Sequence, residues 1–293
     1  MTTDHAPAAD HSRVMAALDI SDYCPAVVRY GAWAAQQLAA PLELVHVEDG
    51  DGHVRTALPL TGEVDIEPRH VLLAQLQRER RKDGPPQTPG ERLLQRACEF
   101  ARDEYRIDVE PSLRSGDLAR ILKRDEAKVA LYVIGKRGEY ANIDSDHLGS
   151  QLEKVIRTVQ RPLLVASRQF TAPKRVMIAF DGGPLTRRGV EAVATSALLR
   201  DLHVQVLMVG MGDAEQQRQL DWALDMLRNH GHSAAGIIKR GVAHSTILRE
   251  TDAANIDLLV MGAYGRSRLR HIFIGSTTNH VLRTSRVPVL LLR

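Results

Sequence analysis

"RVMAALD" at Arg13–Asp19 returns almost unchanged as "RVMIAFD" at Arg175–Asp181. Each is a short apolar run closed by an aspartate. Apolar runs of this length suit strands buried on both faces, and Asp suits the turn that follows. The signals around the two copies also repeat in order. A helix-period segment comes next; in the second half Val190, Val193, Ala194, Ala197 and Leu198 share one stripe, predicting one helix through Leu198. A second strand follows, "PLELVHVED" or "HVQVLMVG". Another amphipathic helix carries Leu94, Ala97, Cys98 and Ala101, or Leu220, Ala223, Leu224 and Leu227 with Gly231 as its stop. "VEPSLRSGDLARILK" then matches "AGIIKRGVAHSTILRE", and "ALYVIG" matches "DLLVMG". Each half closes with a glycine loop, a helix and a last strand, "RPLLVASR" or "VPVLLLR".

Strands alternating with helices predict a parallel sheet covered on both faces. The fold class is α/β: two tandem doubly wound, Rossmann-like domains at 1–168 and 174–293, joined near "QFTAPK" (Gln169–Lys174). The repeat is uneven. Asp19 and Asp181 lie 162 positions apart, Gly135 and Gly262 only 127, so the first half carries 35 extra residues. They fall at about 50–89 and include a basic run, Arg78–Lys82, which reads as a solvated helix face before a Pro/Gly-rich loop.

Composition narrows the function classes. The 293 residues are 44% hydrophobic and 26% charged, with a net charge of +3, too small to argue for nucleic acid or an anionic membrane as partner. Cys24 and Cys98 have no metal-site spacing and fit a reducing compartment. The polar start "MTTDHAPAADHS" does not read as a signal peptide, and no apolar run reaches the roughly 18 residues of a membrane helix. These signs predict a cytoplasmic protein.

The glycine loops carry the chemistry. In the second half Gly262-x2-Gly265-x9-Gly275-Ser276 follows a strand and opens a helix. That context offers an anion the free N–H groups and partial positive charge of a helix N-terminus. Ser276 and Thr277 add hydroxyls for a ligand or for a helix cap. Arg266, Arg268 and Arg270 give the loop a charge of +3, with His271 beside them. The first-half loop keeps Gly135, Gly138, Gly149 and Ser150, but ten residues separate Gly138 from Gly149. Glu139, Asp144 and Asp146 bring its charge to −3, with Lys136 and Arg137 ahead of the second glycine. Unit charges 4 Å apart interact by roughly 4 kcal/mol at intermediate dielectric. The first loop therefore reads as a degenerate phosphate site and the second as a working one.

These motifs, and the order of elements over nearly the whole chain, resemble the universal stress protein family in its tandem form. The spacing G-x2-G-x9-G-[S/T] is that family's ATP-binding signature, and Gly262, Gly265, Gly275 and Ser276 match it. The resemblance implies a five-stranded sheet in order 3-2-1-4-5 in each domain. It implies Asp181 beside the ribose, Val209 against the adenine, and Met261 lining the nucleotide site; Asp19 is the first-half counterpart of Asp181. It also implies ATP as ligand, alone or with Mg²⁺, and domain pairing through the last strands, within one chain or between two.

The leading functional reading is an ATP-holding regulatory module of stress response, with little or no turnover and an unknown protein partner. No general base, nucleophile or metal-binding carboxylate cluster stands out in the sequence, so no catalytic and no metal residues are assigned. A nucleotide-free scaffold acting through dimerisation is the alternative, and an adenylating enzyme on the same fold a second. There is no G-x4-G-K-[ST] loop. His230 and His232 read as a helix end at Gly231, His244 is a further histidine weighed and set aside as a metal ligand, and Trp33 and Trp222 read as core.

Overall fold

The computed structural model describes residues 12–48, 88–138, 148–263 and 274–293. The first half runs β1 (Arg13–Leu18), α1 (Cys24–Leu38), β2 (Leu42–Glu48), α2 (Pro89–Tyr105), β3 (Val109–Ser115), α3 (Leu118–Asp125), β4 (Val129–Gly135), α4 (Ser150–Thr158) and β5 (Leu163–Ala166). The second runs β6 (Arg175–Phe180), α5 (Pro184–Thr195), β7 (His203–Val209), α6 (Ala214–Asn229), β8 (Ser233–Lys239), α7 (Ala243–Ala253), β9 (Leu258–Gly262), α8 (Ser276–Thr284) and β10 (Val289–Leu292). The expected insertion at about 50–89, with Arg78–Lys82, lies almost wholly outside the described residues.

All ten strands form one sheet in the order β3-β2-β1-β4-β5-β10-β9-β6-β7-β8. Each half contributes a parallel set, and the halves meet where β10 runs antiparallel to β5, with Val289 opposite Val165 and Leu291 opposite Leu163. The apolar last strands are thus paired inside the chain, which removes two edges that would otherwise need cover. Alternation of side chains along β1 sends Val14, Ala16 and Leu18 to one face and Met15 and Ala17 to the other. The first face is covered by α1, α2, α5 and α6, the second by α3, α4, α7 and α8. Both layers run through both halves.

Side-chain caps mark three of the eight described helix starts. Thr88 and Glu91 form a capping box on α2. Asp117 and Asp213 accept from Arg120 N–H and Gln216 N–H on α3 and α6. The α6 stripe Leu220, Ala223, Leu224 and Leu227 is buried, and Gly231, at φ +86°, follows the helix end. One helix is shorter than its stripe predicts. α5 ends at Thr195, and Ala197–Leu199 form a separate 3-10 turn. Ser196 is the reason: its hydroxyl accepts from Leu198 N–H at 3.2 Å, a local bond that competes with helix continuation. Leu198 is buried even so.

The joint at Gln169–Lys174 is fastened to the core. Tyr30, fully buried on α1, shares a 3.1 Å hydrogen bond with Ser167 Oγ and accepts from Thr171 N–H at 3.3 Å. Its ring meets Phe170 edge-on at 4.8 Å. A second fastening crosses the halves. Lys136 Nζ donates to the Ser285 carbonyl at the end of α8, 3.1 Å away, and Arg293 donates to the Ile156 carbonyl in the last turn of α4. Each half thereby places a cation at the C-terminal carbonyls of the other half's last helix, where positive charge is favoured.

Candidate functional site

Sheet register brings the predicted second-half residues together. Phe180 pairs with Met208, which sets Asp181 beside Val209 at the carboxyl ends of β6 and β7. Ile178 pairs with Val260, which sets Gly262 at the same level on β9. β6 and β9 are neighbours although a crossover separates them in sequence, so the loops leaving them diverge around a cleft. Met261 is buried, and Val209 and Ile274 pack against the same apolar cluster.

Asp181 is held by its own turn. Its Oδ1 accepts from Gly183 N–H at 2.9 Å and from the Thr186 hydroxyl at 2.5 Å. Gly182 has φ +76°, a left-handed backbone that suits glycine. Arg187 Nε donates to the Gly182 carbonyl at 3.2 Å, and its guanidinium lies 4.6 Å above the Trp222 ring. Trp222 also stacks on Phe180. Arg187 and Thr186 escape sequence reasoning; their one signal is a position in the first turn of the helix after Asp181.

At the other side of the cleft α8 opens at Ser276 with Gly275 as N-cap, which offers no side-chain cap. Thr278 Oγ1 instead donates to the Gly262 carbonyl at 2.9 Å, and Gly275 N–H bonds to the Ala263 carbonyl at 3.3 Å. The helix start is pinned to the end of β9, with Ser276 and Thr277 in its first turn. Gly265, Arg266, Arg268, Arg270 and His271 lie outside the described residues.

The first half repeats the plan. Asp19 Oδ1 accepts from Ser21 N–H at 3.2 Å and from its hydroxyl at 2.5 Å. A Cβ added to Gly138 would lie 3.2 Å from Asp19 Oδ2, so the loop touches the aspartate. A Cβ on Gly149 would meet the Gly138 nitrogen at 3.6 Å, and one on Gly135 would meet Tyr23 Cβ at 2.9 Å. Asp19, Gly135, Gly138, Gly149 and Ser150 therefore converge. Glu139, Asp144 and Asp146 lie outside the described residues.

Electrostatics separate the halves next to the glycines. Lys136, which follows Gly135, corresponds to Ala263 after Gly262. Burial, with the Arg137 charge adding to it, pulls the Lys136 amine down to about 8. Burial, with a smaller push from Asp19, drives the Cys24 thiol up to about 12, so it stays protonated and inert near neutral pH.

The residues weighed against the site have other partners. His230 Nδ1 meets the Met226 carbonyl at 2.8 Å, and buried His232 Nε2 meets the Ala194 carbonyl at 3.2 Å. His244 lies against His280 with centroids 4.0 Å apart and the rings tilted by 41°. Among the described residues no three His, Cys, Asp or Glu side chains are grouped to hold a metal ion. No described helix is long and apolar enough to cross a membrane.

Fold and site together define a tandem doubly wound α/β protein, with an aspartate held in its own turn at the switch point of each half. The chain belongs to the universal stress protein family: the family model matches residues 11–167 and again 173–293. A universal stress protein of Synechocystis sp. is 30% identical over 284 residues, spanning 96% of this chain and 99% of the relative. The chain is also similar to the crystal structure of a universal stress protein from Archaeoglobus fulgidus, with TM-score 0.69, 19% identity, and 97% and 98% of the two chains covered. A Pseudomonas aeruginosa protein superposes with TM-score 0.61 at 16% identity, covering 98% and 94%. At these identities the solved structures speak to the fold alone.

Proposed function

We propose that this protein binds ATP, alone or with Mg²⁺, in its second half and acts as a nucleotide-responsive stress module with little or no turnover. The observation that carries the reading is the convergence of Asp181, Val209, Met261 and Gly262 with the glycine-capped start of α8. A Cβ-free turn lets phosphate approach the backbone, and the first N–H groups of α8 suit its charge. Asp181 uses one carboxylate oxygen for its own turn, and a carboxylate has acceptor sites to spare for ribose hydroxyls. Val209 and Met261 offer apolar surface for a base. By sequence Gly265, Arg266 and Arg268 belong to the same phosphate-binding loop, and Ser276 and Thr277 add hydroxyl donors.

The first half, with Asp19, Gly135, Gly138, Gly149 and Ser150, is read as a weak or non-binding site, because the sequence of its loop carries three carboxylates and a charge of −3. The test is thermal unfolding with and without Mg·ATP. At 100 times Kd a native-state ligand stabilises by about 2.7 kcal/mol. The wild type should gain stability, and Gly275→Asp, which puts a carboxylate at the α8 N-cap, should gain none. An equal gain in both would refute the placement. No gain in either would favour the nucleotide-free scaffold, and ATP-dependent pyrophosphate release with a metabolite would favour the adenylating enzyme.

A further inference from the structure

At the opposite end of the first-half sheet from Gly135 lies a cavity of about 270 Å³, floored by Met15 and walled by Arg13, Glu43, Arg114, Arg124, Asp125 and Lys128. Glu43, almost fully buried on β2, anchors the wall. It takes Arg13 Nη1 at 3.0 Å and Arg114 Nη2 at 2.5 Å. Arg114 also pairs with Asp125, as does Arg124. Burying Glu43 requires such partners, and part of this network is structural. The second half shows how much: Lys239 and Arg249 both pair with Glu250, repeating the Arg114–Asp125–Arg124 triad.

Three features exceed that structural need. The position opposite Met177 holds Gln205, where Glu43 stands opposite Met15, so only the first half draws a second arginine onto a buried acid. Four cations line the cavity against two carboxylates, and Glu110 also meets Arg13 Nη1 at 3.4 Å, which leaves one positive charge in excess. The Arg13 Nε–H is buried with no acceptor, and Lys128 forms no ion pair among the described residues. An unpaired ammonium beside three guanidinium groups in a roomy polar cavity favours an anionic acceptor. The space would hold on the order of nine waters at the ~30 Å³ that each occupies in the liquid.

We infer that this cavity is a binding site for a small multivalent anion of the phosphate class, such as phosphate or pyrophosphate, separate from the glycine loops. Lys128 and Arg124 face the anion from the mouth, and the Arg13 and Arg114 guanidinium groups supply positive charge from the wall. Charge-assisted bonds from guanidinium to phosphate are short and strong. The site belongs to the half with the acidic loop, and so gives that half a ligand of its own.

The experiment is calorimetric titration of the full-length chain with sodium pyrophosphate, and separately with phosphate, in the Gly275→Asp background, which keeps the second-half helix start out of the signal. The paired variant Arg124→Glu, Lys128→Glu alters exposed positions and should fold; circular dichroism checks this. Saturable binding that weakens at least tenfold in the paired variant is expected. Pyrophosphate binding well ahead of phosphate would assign a diphosphate-bearing ligand, and equal binding a single phosphate group. Absence of saturable binding at millimolar anion, or binding unchanged by the charge reversal, would overturn the inference. Because Asp181 and α8 play no part, its failure would leave the ATP reading untouched, and failure of that reading would leave this one standing.

Discussion

Gly182 shows how one residue sets the candidate site. It sits at φ +76°, and a Cβ there would collide with Gln219 Oε1 from α6. The collision is with the end of a flexible side chain and is cheap to relieve; the backbone cost is not. A non-glycine residue in the left-handed region costs roughly 1–2 kcal/mol. Gly182→Ala should lower stability by about that amount in urea unfolding, and Gly182→Ala, Gln219→Ala should recover little of it. Full recovery in the double variant would show that the collision, not the backbone, requires glycine. Thr186 and Arg187 could not be singled out from sequence because their roles depend on a turn that returns the first turn of α5 to Asp181. Asp181 itself was legible, as the residue that closes a repeated strand.

At the scale of elements, periodicity and repetition placed the described strands and helices, because buried strands and amphipathic helices leave unambiguous patterns. The α5 stripe overran, since the Ser196 hydroxyl bond to Leu198 N–H ends the helix without disturbing the apolar spacing. The contact between Lys136 and the end of α8 left no mark in the sequence, for its partner is a backbone carbonyl 149 residues away. It has a consequence for pH dependence. Lys136 titrates at about 8 in the folded protein, below its ordinary value of 10.5. Between those values the unfolded chain binds more protons, so this group makes stability rise with pH. Its burial penalty is present in full below pH 8 and is relieved as the pH climbs. Buried Tyr and Cys groups, whose values are raised, act in the opposite sense, so the wild-type curve alone does not isolate the lysine. The difference between wild type and Lys136→Met does. That difference should change by up to about 1.4 kcal/mol per pH unit between pH 8 and 10. A flat difference would show that the amine is solvated.

At the scale of the whole molecule, the antiparallel β5–β10 seam makes one body of two units. Leu163, Leu164, Leu290 and Leu291 are all buried there. In this structure β5 and β10 pair with each other within the chain. A chain cut to residues 174–293 would expose β10, and sedimentation should show it dimerising or aggregating. A monodisperse monomer would mean that the seam is dispensable. Two domains in series could be read from the doubled strand-and-aspartate signal, whereas their relative placement rests on which edges pair, and an apolar edge strand names no partner.

The central claim is where the base of ATP sits. Photolabelling with 2-azido-ATP, followed by peptide mapping, reads that position directly. The account predicts saturable label, displaced by ATP, on peptides holding Val209 or Met261. Label on first-half peptides that hold Asp19 or Gly135, or no displaceable label, would contradict it.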